Sequence, residues 1–140
     1  MLRSVNLEDY MITKPLTIPA DAPLFEAVDL ITKNQVSGLC VVNSDGELAG
    51  ILSEMDCLRG ILTASYDNGS IGNVGDYMVS SNINSAKASD DIIDVAADML
   101  AKGQRRRPVV NENNKLIGQI TCRQILAAVR KLTGTKSPTK

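Results

Sequence analysis

The sequence predicts a mixed α/β (α+β) protein made of two β-α-β-β-α units whose apolar sheets pack together. Three observations carry this expectation. The chain matches itself at a shift of 68 residues. In each copy, apolar residues at helical spacing alternate with short apolar runs bounded by turn residues. Each copy is only about 60 residues long, too short to bury a comfortable core alone.

The repeat is read directly from the residues. Val41-Val42-Asn43 falls on Val109-Val110-Asn111, Leu48 on Leu116, Gly50 on Gly118 and Leu58 on Leu126. Leu24, Ala27, Val28 and Ile31 fall on Ile92, Val95, Ala96 and Met99. Near the start of each copy the shift is 67, placing Asp9-Tyr10-Met11 on Asp76-Tyr77-Met78, so one residue is gained between Met78 and Ile92. Such duplication is sought before any other pattern because it sets the architecture.

In the first copy a short strand is expected near residues 16–18. The apolar positions 24, 27, 28 and 31 mark one face of a helix, with Asp21 and Pro23 suited to its start. Residues 39–43 form an apolar strand, and 44–46 (SDG) a tight turn in which Gly46 is free to take positive φ. Residues 47–53 return as a strand, and a second helix runs from about Glu54 to about Thr63. The second copy repeats this order: a strand near 83–86, a helix at 90–102, a strand at 107–111, a turn at 112–114, a strand at 115–121 and a helix at 122–132. The organisation is a first repeat at 5–63, a linker at 64–73, a second repeat at 74–132 and a frayed tail at 133–140, which has almost nothing to bury.

Composition narrows the function. The 140 residues are 44% hydrophobic and 22% charged, with net charge −1, a globular profile without an overall field toward nucleic acid or an anionic membrane. No apolar run approaches the roughly 20 residues of a membrane span. The start, MLRSVNLEDYM, lacks an apolar signal core, so a cytoplasmic location is expected. Cys40, Cys57 and Cys122 form no CxxC pair and sit in apolar stretches, so they are expected to be reduced core residues. The chain contains no histidine. Ser–His and Cys–His catalysis are therefore excluded, and no metal-ligand cluster stands out. No catalytic residue, metal site or required cofactor is expected. Aromatic content is 3%, so base-stacking platforms are scarce. Nucleic-acid binding would rest on Arg105–Arg107 alone.

Two stretches have the same shape: GILSEMDCL at 50–58 and GQITCRQIL at 118–126. In each, a strand ends on a hydroxyl residue and a helix begins. A first helical turn leaves N–H groups unpaired and carries partial positive charge, which suits a phosphate. Ser53 with Asp56 also resembles a helix cap, and Thr121 with Gln124 fits the capping-box pattern itself. A third stretch, GQRRRPVV at 103–110, sets three arginines before a buried strand.

With DYM before each first strand, P-A-D-A-P-L-F-E-A before the first helix, V-S-G-L-C-V-V-N-S-D-G and G-I-L-S-E-M-D, the repeat resembles a tandem pair of CBS domains, a Bateman module, from about Val5 to Leu132. It looks like a stand-alone pair. The resemblance implies two repeats packed sheet to sheet with pseudo-two-fold symmetry, a homodimer, and an adenosine nucleotide (AMP, ADP, ATP or a relative) bound in a cleft between repeats to regulate a partner protein. The family's hydroxyl-x-x-Asp ribose motif matches at Ser53 and Asp56. A carboxylate accepts hydrogen bonds only, and two ribose hydroxyls donate two. Arg105 and Arg106 match positions that hold phosphate, Pro108 one that packs on the base, and Ile83 and Asn84 the stretch that reads the base edge. Arg123 adds a further cation. The crossed geometry of the family implies one strong cleft from these residues. A weaker one is built from Leu16, Thr17, Ser37, Gly38, Thr121 and Gln124. The sequence departs from the family where Gln124 replaces the acid and where 82–88 (NINSAKA) carries the extra residue. The competing expectation is a structural dimerisation or adaptor pair that takes no nucleotide.

Overall fold

The computed structural model describes residues 5–67 and 69–132, so the tail at 133–140 lies outside the described residues. These residues form two compact units. One comprises Pro15–Ile83 with Asn113–Leu116. The other comprises the described parts of residues 1–14, 84–112 and 117–140.

The first unit holds β1 (Thr17–Ile18), α1 (Leu24–Asn34), β2 (Gly38–Val42), β3 (Leu48–Ser53) and α2 (Glu54–Asp67). Its three strands lie in the order β1-β2-β3. β1 runs parallel to β2, with Ile18 opposite Val41, and β3 runs antiparallel to β2, with Leu39 opposite Leu52. Leu24, Ala27 and Ile31 of α1 are buried with Ile18, Leu39, Val41, Leu52 and Cys57, while Val28 packs half-buried beside them. The SDG turn forms as expected, with Gly46 at φ 81°. The Asn43 side-chain oxygen accepts the N–H groups of Asp45 and Glu47.

The second unit holds α3 (Ile92–Ala101), β4 (Arg106–Val110), β5 (Leu116–Thr121, its first residue in the other unit) and α4 (Cys122–Leu132). Asp91 caps α3 by accepting the N–H groups of Ile93 and Asp94. The core, formed by Leu7, Ala86, Ile92, Val95, Met99, Val109 and Ile120, occupies the positions equivalent to the other core under the sequence shift. The mixed α+β class of the sequence reading is thus the observed one, with four α-helices and two small sheets among the described residues.

Three local expectations are corrected. The strand near 83–86 shrinks to one parallel bridge between Ala86 and Val109. Its counterpart β1 pairs at two positions, Thr17 with Cys40 and Ile18 with Val41. The residue equivalent to Cys40 is Pro108, which has no N–H to give, so the ladder stops after one rung. α2 extends to Asp67, through the first four residues of the expected linker. Cys57, Gly60 and Ala64 are all buried, and their i, i+3, i+7 spacing carries the apolar face past Thr63. Cys122 is exposed, whereas Cys40 and Cys57 are buried.

The compact units cut across the duplication. The 3-10 turn at Leu7–Asp9 opens the first repeat in the chain, yet Leu7 is buried in the core of the second. The matching turn at Val74–Asp76 sends Val74 into the core of the first. Each repeat therefore borrows its lead-in from the other. Backbone pairs lock the exchange: Ile12 with Gln119 at 2.8 and 2.9 Å, and Ile51 with Val79 at 2.9 Å in both directions.

Candidate functional site

Ser53 is the last residue of β3 and Asp56 lies in the first turn of α2. The pair makes a reciprocal cap. The Ser53 N–H donates to Asp56 Oδ2 at 2.9 Å, and the Asp56 N–H donates to Ser53 Oγ at 3.1 Å. Arg59 Nη1 donates to the other carboxylate oxygen, Oδ1, at 3.1 Å. Asp56 is 6% exposed. The acid that the sequence reading assigns to a ribose closes the helix start, and the pair satisfies two backbone donors there. Burial, with Asp56 beside it, pushes the Cys57 thiol above its usual range, so it stays protonated at neutral pH.

The second copy is built alike, with one change. Gln124 N–H donates to Thr121 Oγ1 at 3.2 Å, and Gln124 Nε2 donates to the Tyr10 carbonyl at 3.1 Å. A carboxylate cannot donate there, so the local structure supplies a reason for glutamine at this position. Equivalent bonds hold the segments that precede β2 and β4. The Glu54 N–H donates to the Ser37 carbonyl at 2.9 Å, and the Cys122 N–H donates to the Arg105 carbonyl at 3.0 Å. The Arg105 backbone is thereby held at Cys122, the residue before Arg123, and both arginines are exposed.

The three arginines have three different environments. Arg105 is exposed, Arg106 half-buried and Arg107 buried at 5%. Arg107 Nη2 pairs with Asp98 Oδ2 at 2.8 Å and donates to Gln104 Oε1 at 2.6 Å. Lys102 Nζ meets the same Asp98 oxygen at 2.9 Å and donates to Asn84 Oδ1 at 3.1 Å. The sequence reading singled out Arg105 and Arg106, gave Arg107 no role of its own, and missed this network. The Asp98/Lys102 spacing of i, i+4 was its available signal. Hydrogen bonds from Lys102 and then Arg107 hold the Asp98 carboxyl below its usual range. Its stabilising contribution is therefore complete above the ordinary carboxylate pKa of about 4 and lost as pH falls through the lower folded value. Wild type should exceed Asp98→Asn in stability by a constant margin from pH 7 down to about 5, and the margin should shrink below about pH 4. Urea denaturation at several pH values measures it, and a margin that does not depend on pH would contradict the pairing.

The remaining residues fall as follows. Asn84 is half-buried in the second unit, and Ile83 half-buried in the first. Pro108 is fully buried, and its carbonyl accepts the Ala86 N–H at 2.9 Å. Leu16 and Thr17 are exposed, Ser37 is half-buried and Gly38 is buried. A Cβ at Gly38 would lie 2.6 Å from the Leu52 carbonyl oxygen, so the sheet itself requires glycine there. An open groove of about 390 Å³ in the first unit is lined by Ile31, Thr32, Gln35, Val36, Ser37 and Glu54. Of the residues singled out from sequence it touches only Ser37. Asp56, Ser53 and the candidate arginines do not line it, although Glu54, the first residue of α2, does.

The CBS domain model matches residues 7–63 and 74–131, and the chain belongs to the CBS-domain family. The protein MJ1426 of Methanocaldococcus jannaschii is 28% identical, over 85% of this chain and 88% of its own length. The inosine-5′-monophosphate dehydrogenase of Aquifex aeolicus is 31% identical over 85% of this chain, which spans only 23% of the enzyme. Among solved structures, CBSX2 of Arabidopsis thaliana in complex with AMP superimposes with a TM-score of 0.83 at 25% identity, covering 93% of this chain and 99% of that one. Among the described residues, no helix is long and apolar enough to cross a membrane.

Proposed function

We propose that this protein is a non-catalytic, cytoplasmic ligand sensor that binds an adenosine nucleotide and passes the binding event to a partner protein. The observation that carries the reading is the buried Asp56 carboxylate at the start of α2, where the family's ribose motif falls. In this reading Ser53 and Asp56 hold the ribose. Arg105, Arg106 and Arg123 hold phosphate, and Ile83, Asn84 and Pro108 meet the base. Leu16, Thr17, Ser37, Gly38, Thr121 and Gln124 form a second, weak site. Similarity to CBSX2, solved with AMP, supports the choice of ligand class. Cations that hold phosphate make AMP bind at least about tenfold more tightly than adenosine, a gap of about 1.4 kcal/mol. Titration calorimetry with both ligands tests this, and equal affinities would remove the phosphate role of the arginines.

One observation favours the second reading, an adaptor pair without a physiological nucleotide. Both Asp56 oxygens already accept protein donors, so the carboxylate is bonded without any ligand. In either reading the assembly is a homodimer. Leu58 and Leu62 of α2 and Leu126 and Val129 of α4 are 40–69% exposed, and a second copy covers such faces. Light scattering should give twice the chain mass, and a monomer at high micromolar concentration would contradict it.

A further inference from the structure

The cap at the start of α2 contains one contact that capping does not need. Asp56 Oδ2 is committed to the Ser53 N–H, which closes the helix start. Arg59, one helical turn further on, takes Oδ1. The Arg59 side chain is 61% exposed, against 8% for that of Asp56. An exposed cation thus sits over the oxygen of a buried carboxylate that the cap leaves available. The counterpart of Arg59 in the second copy is Ala127, and that of Asp56 is Gln124. The cation and the acid therefore occur together, in one copy only.

We infer that Arg59 is an internal competitor for Asp56: it occupies the carboxylate oxygen that ribose hydroxyls require, and it must swing away before they bind. This rests on the ribose role proposed for Asp56. Arg59 then sets affinity without touching the ligand, and it does so for any ligand that presents ribose hydroxyls. Partly exposed ion pairs are weak, so the penalty is modest, about threefold to fivefold in affinity. Salt screens such pairs. Adenosine carries no charge, so its affinity for the wild type should rise with salt while that for a variant lacking the cation stays flat.

The test is calorimetry of AMP and adenosine with wild type, Arg59→Met and Arg59→Lys, with the fold of each checked by urea denaturation. Arg59→Met should bind both ligands about threefold to fivefold more tightly, by the same factor. Arg59→Lys should fall back toward wild type. In an Asp56→Asn background, Arg59→Met should bring no gain, because the contested oxygen is gone. Weaker AMP binding by Arg59→Met with adenosine unchanged would identify Arg59 as a phosphate contact and overturn the inference. Unchanged affinity for both ligands would overturn it too, leaving a surface ion pair. If neither the wild type nor Arg59→Met takes AMP or adenosine, the nucleotide reading fails and the inference falls with it. That pattern is distinct from a failure of the competitor alone.

Discussion

Gly118→Val will destabilise the protein by about 2–3 kcal/mol, the cost of overpacking a site whose neighbours cannot yield. A Cβ at Gly118 would lie 2.7 Å from the Ile12 carbonyl oxygen and 2.7 Å from Met11 Sδ. The methionine could move. The carbonyl cannot, because it accepts the Gln119 N–H at 2.9 Å while the Ile12 N–H donates to the Gln119 carbonyl at 2.8 Å. Gly50 is in the same position: a Cβ there would meet Met78 Sδ at 2.7 Å and the Val79 carbonyl oxygen at 2.9 Å. Both glycines therefore admit the lead-in segment that each core borrows. Urea denaturation measures the loss. Adding Met11→Ala to Gly118→Val should recover little, since the backbone contact remains. Full recovery would show that the thioether, and not the exchanged segment, is what glycine accommodates.

On the proposed ribose role of Asp56, Asp56→Ala will lower AMP affinity about a hundredfold, or roughly 2.7 kcal/mol, because it removes that charged acceptor. It will also cost about 1–2 kcal/mol of stability. The Ser53 N–H loses its partner, and leaving a part-buried donor unsatisfied carries a penalty of that size. The favourable charge of an acid in a first helical turn alone is worth only about 0.3–1 kcal/mol. The reciprocal bonds at 2.9 and 3.1 Å raise that expectation. Calorimetry and denaturation of the one variant separate the two effects. Undiminished AMP binding by a folded Asp56→Ala protein would leave the carboxylate as a cap and nothing more.

The architecture was legible because it is written twice. Residues 24, 27 and 31 mark a helix face, and 92, 95 and 99 mark it again, so each copy checks the other. The helix starts were legible for the same reason: Ser53/Asp56 and Thr121/Gln124 each carry a cap signature, and both caps form. What could not be read was long-range. Leu7 and Val74 look like the start of their own repeats, and no local pattern says that each completes the other core. The lost rung at 83–86 depends on Pro108, more than 20 residues away. Arg107 reads like its neighbours until the strand turns it inward onto Asp98. Gln124 looked like a lost acid, and the reason for an amide lies in the carbonyl of Tyr10, 114 residues distant. Cys122 sits in an apolar stretch yet is exposed, because it opens the first turn of a helix whose buried face lies elsewhere.

The most direct test of the central claim is calorimetric titration of the purified protein with AMP, read for stoichiometry. One strong site per chain is the predicted result, since a buried carboxylate is present only in the first copy's helix start, and exposed Arg105 with half-buried Arg106 occurs only at the start of β4 in the second. A second site, if detected, should be about a hundredfold weaker, because Gln124 is a neutral acceptor and Ser37 and Gly38 stand where Arg105 and Arg106 do. Two equivalent strong sites per chain, or no heat of binding at all, would contradict it.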